Sequence, residues 1–251
     1  MSEFGRNFDC SALSYDQWVR FFFDRPNPPQ TDDLGYYFFD VDLREEYTFF
    51  DVEHPTKVVS HMTRLFGDFP KTVSVFTLPQ INQGVWVMFG NNFECQRYLF
   101  DPSVPLEKRL ECIRSMYCVY ADFVAPCVVP EMENCFQMWW HFIAESFWSR
   151  FYDYPNDSKS FDETLEQYPL EKDLNKLNEE AKQILDTMFE TLVRILALDD
   201  DRAQEYALHG LGHLSHPESK DVVQSYIDAH ITEFDEEDLK WVQQCRDGVV
   251  L

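Results

Sequence analysis

The stretch Asp200-Asp-Arg-Ala-Gln-Glu-Tyr-Ala-Leu-His-Gly-Leu-Gly-His-Leu-Ser-His-Pro217 decides the fold. Carboxylates at its start suit the positive end of a helix dipole, and Pro217 suits the turn that follows. With Ala207 set at zero, Leu208, Leu211 and Leu214 fall at about 100°, 40° and −20° around a helix axis. Glu205, His209 and His213 fall at about 160°, 200° and 240°. The spacing predicts an amphipathic helix from about Asp201 to Leu214 with an apolar face and an imidazole face. The imidazole face is expected to point away from the apolar interior, toward solvent or a partner.

Working outward, helical periodicity continues in both directions. Leu174, Leu177, Ala181, Ile184, Leu185, Met188, Leu192, Ile195 and Leu196 predict a long helix over about Lys172 to Ala197. Lys182/Asp186 and Glu190/Arg194 stand at i,i+4 spacing on its other face, where such pairs support a solvated surface. Downstream, helices are expected over about Pro217–Ile231 and Glu236–Arg246. Ser215 and Glu218 are placed for a capping box, and Asp235 for an N-cap. Upstream, Ser14 and Gln17 make a capping box ahead of Tyr15, Trp18, Val19 and Phe22, and Pro26, Pro28 and Pro29 end that helix. Further helices are expected over about Pro55–Phe66 and Pro79–Phe89. Two more follow: a stripe from Leu106 to Phe123 entered by Pro105, and one from Met132 to Phe147 entered through Pro130.

Tyr37–Val41 and Thr48–Val52 read as two short strands or two extended loops, a small β element near residues 36–52. There is no βαβ alternation, so a parallel sheet is excluded as the main architecture. The fold class is all-α or nearly so: antiparallel helical hairpins stacked side by side. Aromatic residues crowd the first 160 positions, and the polar run over 154–160 reads as a linker or long loop. Two regions follow, 1–155 aromatic-rich and 156–251 acidic, within one continuous domain.

In the C-terminal region Arg202, Ala207-Leu208, Leu211-Gly212 and Pro217 resemble the inner part of a HEAT-like repeat, with Val222, Val223, Tyr226 and Ile227 as the next helix's inner face. His209 stands where that pattern more usually has a small residue, and no second copy recurs at a fixed period. The resemblance implies an α-solenoid arrangement in which Ala207, Gly210 and Gly212 let neighbouring helices approach closely. It also implies a protein-binding scaffold. The last third is similar as well to C-terminal regions of bacterial proteins that carry an Ala-Leu-His-Gly-Leu-Gly-His stretch, a similarity that brings no activity with it.

Composition narrows the function. The 45 acidic against 21 basic residues give a formal charge of −24, which repels nucleic-acid backbones and anionic lipid. Residues 161–251 alone hold 22 acidic and 8 basic side chains. The natural complement is a basic protein; the blander alternative is a solubilising surface. The N-terminus has no signal-like apolar run, and no stretch is apolar enough to span a bilayer. The seven cysteines form no C-x-x-C pair and suit buried free thiols, so a cytoplasmic location is expected.

Nucleophile and phosphate-loop motifs are absent, and eight glycines leave little room for the latter. The sharpest candidate for chemistry is His209 and His213 with Glu205, each pair at an i,i+4 step, a spacing that lets two histidines share a metal ion. The eight residues from Glu205 to His213 span about 12 Å, so one ion cannot take all three from a straight helix. His216 would have to complete the set from beyond the helix end. His141 and Glu145 form a second i,i+4 pair, read as a satisfied polar pair under the Trp139-Trp140 core. Phe21-Phe22-Phe23 and the two tryptophans read as core rather than as a ligand cage. The leading expectation is a non-catalytic protein-binding module for a basic partner, of the immunity or inhibitor kind, needing no cofactor. The alternatives are a metal-dependent enzyme using His209 and His213, and a globular protein whose ligand leaves no mark in the sequence.

Overall fold

The structure is a computed structural model that describes residues 9–24, 52–90, 93–127, 133–151 and 174–250. In chain order these form α1 (Tyr15–Phe23), α2 (Pro55–Gly67), α3 (Phe69–Val73), α4 (Leu78–Phe89), α5 (Leu106–Val119), α6 (Glu133–Phe151), α7 (Glu179–Leu196), α8 (Asp201–Leu214), α9 (Ser219–His230) and α10 (Glu236–Asp247). A π turn (Tyr120–Val124) extends α5, and 3₁₀ turns occur at Cys10–Ala12, Cys95–Phe100 and Leu174–Lys176. No strand occurs among the described residues, in keeping with the all-α reading. Residues 36–51 of the expected β element, the run at 154–160 and the boundary at 155 lie outside them. None of the described helices is long and apolar enough to cross a membrane.

Local chemistry sets the helix starts. The Ser14 N–H donates to Gln17 Oε1 at 3.0 Å, closing the expected capping box on α1. Thr77 and Gln80 make a second box that starts α4 one residue before Pro79. Asp200 accepts from the Ala203 N–H at 2.9 Å, and Asp235 from those of Glu237 and Asp238.

Three expectations are corrected. The helix expected from Lys172 begins at Glu179, because Asn178 takes the Ala181 N–H at 2.8 Å as an N-cap and leaves Leu174–Lys176 as a separate 3₁₀ turn. Ser215 does not box with Glu218. It ends α8 in the left-handed region at φ 53°, its hydroxyl donates to the Gly212 carbonyl, and the Glu218 N–H donates instead to His216 Nδ1 at 3.1 Å. The i,i+4 pairs on α7 give way to other partners. Lys182 pairs with Glu179 at 2.8 Å, Asp186 takes His216, and Arg194 lies 4.0 Å over the Tyr117 ring.

Helix α8 is the centre of the C-terminal half, packed by α6, α7 and α10. Its glycines make this contact. A Cβ on Gly210 would stand 2.8 Å from Trp140 Cβ and 2.7 Å from Leu192 Cδ2; one on Gly212 would stand 2.8 Å from Val250 Cγ1. At the start of α8 the Arg202 guanidinium donates to the carbonyls of Val124 and Ala125, at 3.0 and 3.3 Å, and to that of Cys127. The π turn leaves those carbonyls beyond the α5 ladder, and a forked cation satisfies several at once. Asp200 holds the guanidinium from behind at 3.2 Å. In the N-terminal half, Trp139 packs against Phe66 and Phe89 with ring centres 5.1 and 4.5 Å apart, and Phe22, Phe23 and Trp140 are buried. The aromatic clusters are core, as read. Such pairs contribute about 1 kcal/mol each beyond their burial.

Candidate functional site

The imidazole face of α8 does not look to solvent. His209 is 2% exposed, and both it and His213 turn toward α6. There they meet His141, which the same i,i+4 arithmetic places one turn from Glu145. His213 Nε2 lies 3.0 Å from His141 Nδ1 and 3.1 Å from His209 Nε2. His209 Nδ1 lies 3.2 Å from the Gln137 carbonyl, and His141 Nε2 lies 3.4 Å from Glu145 Oε2.

These partners fix the tautomers. A carbonyl only accepts, so His209 carries its proton on Nδ1 and turns the Nε2 lone pair to His213. A carboxylate only accepts as well, so His141 carries a proton on Nε2, the nitrogen that faces Glu145. His213 Nε2 stands between His141 Nδ1 and His209 Nε2 and joins them. The order runs from the Glu145 carboxylate through His141, His213 and His209 to a backbone carbonyl. Burial pushes the His209 imidazole down to about 4, the Gln137 carbonyl opposes this, and His141 adds to it. Glu145 is held below the usual carboxylate range by its bond to His141.

Of the three residues named for a metal, the structure brings His209 and His213 together and leaves Glu205 apart. Glu205 is exposed on the first turns of α8, and its charge helps burial to raise the Cys245 thiol on α10. His216 is elsewhere too. It bonds Asp186 Oδ1 on α7 at 3.1 Å and stacks on Phe189 with centres 4.1 Å apart, which fixes the α8–α9 turn. Among the described residues no three His, Cys, Asp or Glu side chains are grouped to hold a metal ion. The rings show why. His141 and His209 stand parallel, 13° apart with centres 6.3 Å apart, and His213 stands at 89° and 84° to them. The nitrogens are joined through His213 instead of surrounding an open point.

The outer end of this chain opens on a cleft of about 370 Å³ between α6 and the Cys95–Phe100 turn. Glu145, Ser146, Ser149 and Arg150 line it from one face of α6, opposite Glu94 and Arg97. Two guanidinium groups against two carboxylates leave the cleft without a charge of its own. Chemically the assembly ties a carboxylate at the surface to imidazoles in the core. Sequence reasoning found both histidine pairs and missed that they form one group. The sequence matches no known protein family, no curated protein and no solved structure.

Proposed function

We propose that this chain is a non-catalytic protein-binding module whose acidic C-terminal helices take a basic protein partner. The observation that carries the reading is the distribution of charge over α8–α10. The 49 residues from Asp199 to Asp247 hold 13 acidic and 4 basic side chains. Asp201, Asp228, Glu233, Glu236, Glu237 and Asp238 are all exposed. Apolar side chains lie among these elements: Tyr226 and Phe234 have ring centres 6.2 Å apart, and Ile231 is 49% exposed. Burial raises the Tyr226 phenol, and the charges of Asp201 and Glu233 raise it further. Apolar side chains beside exposed carboxylates suit a partner that brings Lys and Arg around an apolar contact.

The HEAT-like order of Arg202, Ala207-Leu208 and Leu211-Gly212 supports the same reading, since stacked helical pairs of that kind offer faces to other proteins. A cytoplasmic immunity or inhibitor protein, neutralising a basic partner, is one specific form of it. The test is capture from native lysate by the full chain and by a Glu233→Lys/Glu236→Lys/Glu237→Lys variant. The expected result is a set of basic proteins retained at about 50 mM salt, released by about 500 mM, and not held by the variant. Capture of nothing at low salt, or equal capture by the variant, refutes the reading.

A further inference from the structure

The cleft between α6 and the Cys95–Phe100 turn has the make-up of a small-molecule site. Phe142, Glu145, Ser146, Ser149 and Arg150 fall on one face of α6, and Glu94, Gln96 and Arg97 stand opposite. Each wall thus carries one carboxylate and one guanidinium. Glu145 Oε2 faces His141, which leaves its second oxygen uncommitted. The side chains of Glu94 and Arg150 and the hydroxyls of Ser146 and Ser149 bond no other described residue. Glu94 also stands in the left-handed region at φ 45°, a strained conformation of the kind kept at ligand sites. Gln96 supplies the sharpest observation. It is 3% exposed, and its Oε1 has no hydrogen-bond partner among the described residues. Buried amide oxygens are ordinarily bonded, so this one calls for a donor. The terminal amide torsion is soft enough to turn the oxygen toward an N–H in the cleft that Gln96 lines.

We propose that this cleft binds a free α-amino acid with an apolar side chain. The ammonium pairs with Glu94 and Glu145 and gives an N–H to Gln96 Oε1. The carboxylate pairs with Arg97 and Arg150, and the apolar side chain lies against Phe89 and Phe142. The mixture of charges selects the class of ligand. A simple anion drawn in by the guanidinium groups meets two carboxylates, and a simple cation meets two guanidinium groups. A molecule that carries both signs pairs with both at once. Arg150 lies five residues beyond Glu145, about 7.5 Å along the α6 axis. An ammonium and a carboxylate on one carbon bridge such a gap with a charge-assisted hydrogen bond at either end. The bond to His141 holds Glu145 below the usual carboxylate range, so it meets the ammonium ionised. A volume of about 370 Å³ stands at the small end of ligand sites, which suits one amino acid better than a nucleotide or a longer peptide.

The experiment is isothermal titration calorimetry of the full chain at pH 7 and about 50 mM salt, where screening is modest. The probes are L-phenylalanine and L-leucine, with N-acetyl-L-phenylalanine and L-phenylalaninamide as the analogues that lack the ammonium and the carboxylate. The expected result is saturable binding of both amino acids at one site per chain, weakened about tenfold or more in each analogue. Glu94→Gln and Arg150→Gln each weaken binding of L-phenylalanine by about tenfold as well. Lys71→Gln, on α3 and outside the cleft, leaves it unchanged. The Glu94 and Arg150 side chains bond no described neighbour, so both variants should keep the parent's melting temperature. Absence of saturable binding by either amino acid, analogues that bind as tightly as L-phenylalanine, or unchanged affinity in either cleft variant overturns the proposal. The basic protein partner is tested separately, since no residue of this cleft belongs to α8–α10.

Discussion

Gly210→Ala tests the central packing claim, that α8 sits as deep as it does because position 210 lacks a side chain. Two terms oppose each other. Alanine is the better helix former, which favours the variant by about 1 kcal/mol. Against this, the new methyl stands 2.8 Å from Trp140 Cβ and 2.7 Å from Leu192 Cδ2. The Leu192 methyl can rotate away at modest cost. Trp140 Cβ cannot, because it is fixed to the α6 backbone and carries a ring that is 1% exposed. Helix α6 must shift, and overpacking of that kind costs about 1–3 kcal/mol per site, here at two contacts. Two such contacts cost about 2–6 kcal/mol, so the sum after the propensity gain is a net loss of about 1–5 kcal/mol.

Gly67→Ala is the internal control, at the last position of α2 with nothing within 4 Å of the new methyl. There only the propensity and chain-entropy terms act, for a gain of up to about 1 kcal/mol. Urea unfolding followed by far-UV circular dichroism, with the slope checked for constancy, measures both. If Gly210→Ala proves as stable as the parent, or gains as much as Gly67→Ala, the close approach of α6 to α8 is wrong.

Two further predictions follow from buried polar groups. With the His209 imidazole near 4 when folded and its ordinary value of 6.5 when unfolded, the unfolded chain binds the extra proton as pH falls. His209's share of stability is therefore present above 6.5 and lost between 6.5 and 4, about 2 kcal/mol of it by pH 5. Denaturant unfolding at pH 7 and pH 5 should show this in the parent and a much smaller loss in His209→Gln; equal losses would remove the buried neutral imidazole from the account. Arg109 is 1% exposed, reaches Glu180 at 2.9 Å, and leaves Nε and Nη1 without partners. Removing the acid (Glu180→Ala) should cost about 3 kcal/mol by stranding a buried cation, more than Arg109→Met, which removes the charge and keeps the volume. The reverse order in thermal melts would contradict this.

Much of the fold is legible in residue spacing because most helices here bury one face against neighbours, and that leaves a 3.6-residue period. Ser14–Gln17, Asp200 and Asp235 announce their helix starts because a cap is a local hydrogen bond and needs no tertiary context. Where local signals compete, the spacing misleads. Leu174 and Leu177 continue the apolar stripe of α7 without belonging to its helix, since Asn178 caps more strongly than the stripe propagates. Ser215 and Glu218 satisfy the capping pattern, yet the ring of His216, held by Asp186 and Phe189, reaches the Glu218 N–H first. The pairings of Lys182, Asp186 and Arg194 depend on which neighbours pack alongside α7, and helix arithmetic carries no information about them.

The histidine group failed to emerge for a different reason, and the signal that reveals it lies in the same stretch. A helical wheel gives directions around one axis and does not say which of them face other helices. The apolar residues mark one buried direction; the glycines mark two more. On the wheel that places His209 and His213 at about 200° and 240°, Gly212 falls at about 140° and Gly210 at about 300°. Each glycine marks a flank where another helix comes close: the α10 backbone at Gly212, and the Trp140 and Leu192 side chains of α6 and α7 at Gly210. Histidines bracketed by two such flanks have little room to reach water, and an imidazole turned inward must find partners among the polar groups of the adjoining helix. Helix α6, brought in through Trp140, offers the imidazole of His141 one residue further on. The tryptophan that needs the glycine and the histidine that needs an imidazole partner are adjacent in sequence, so the contact that buries the one delivers the other.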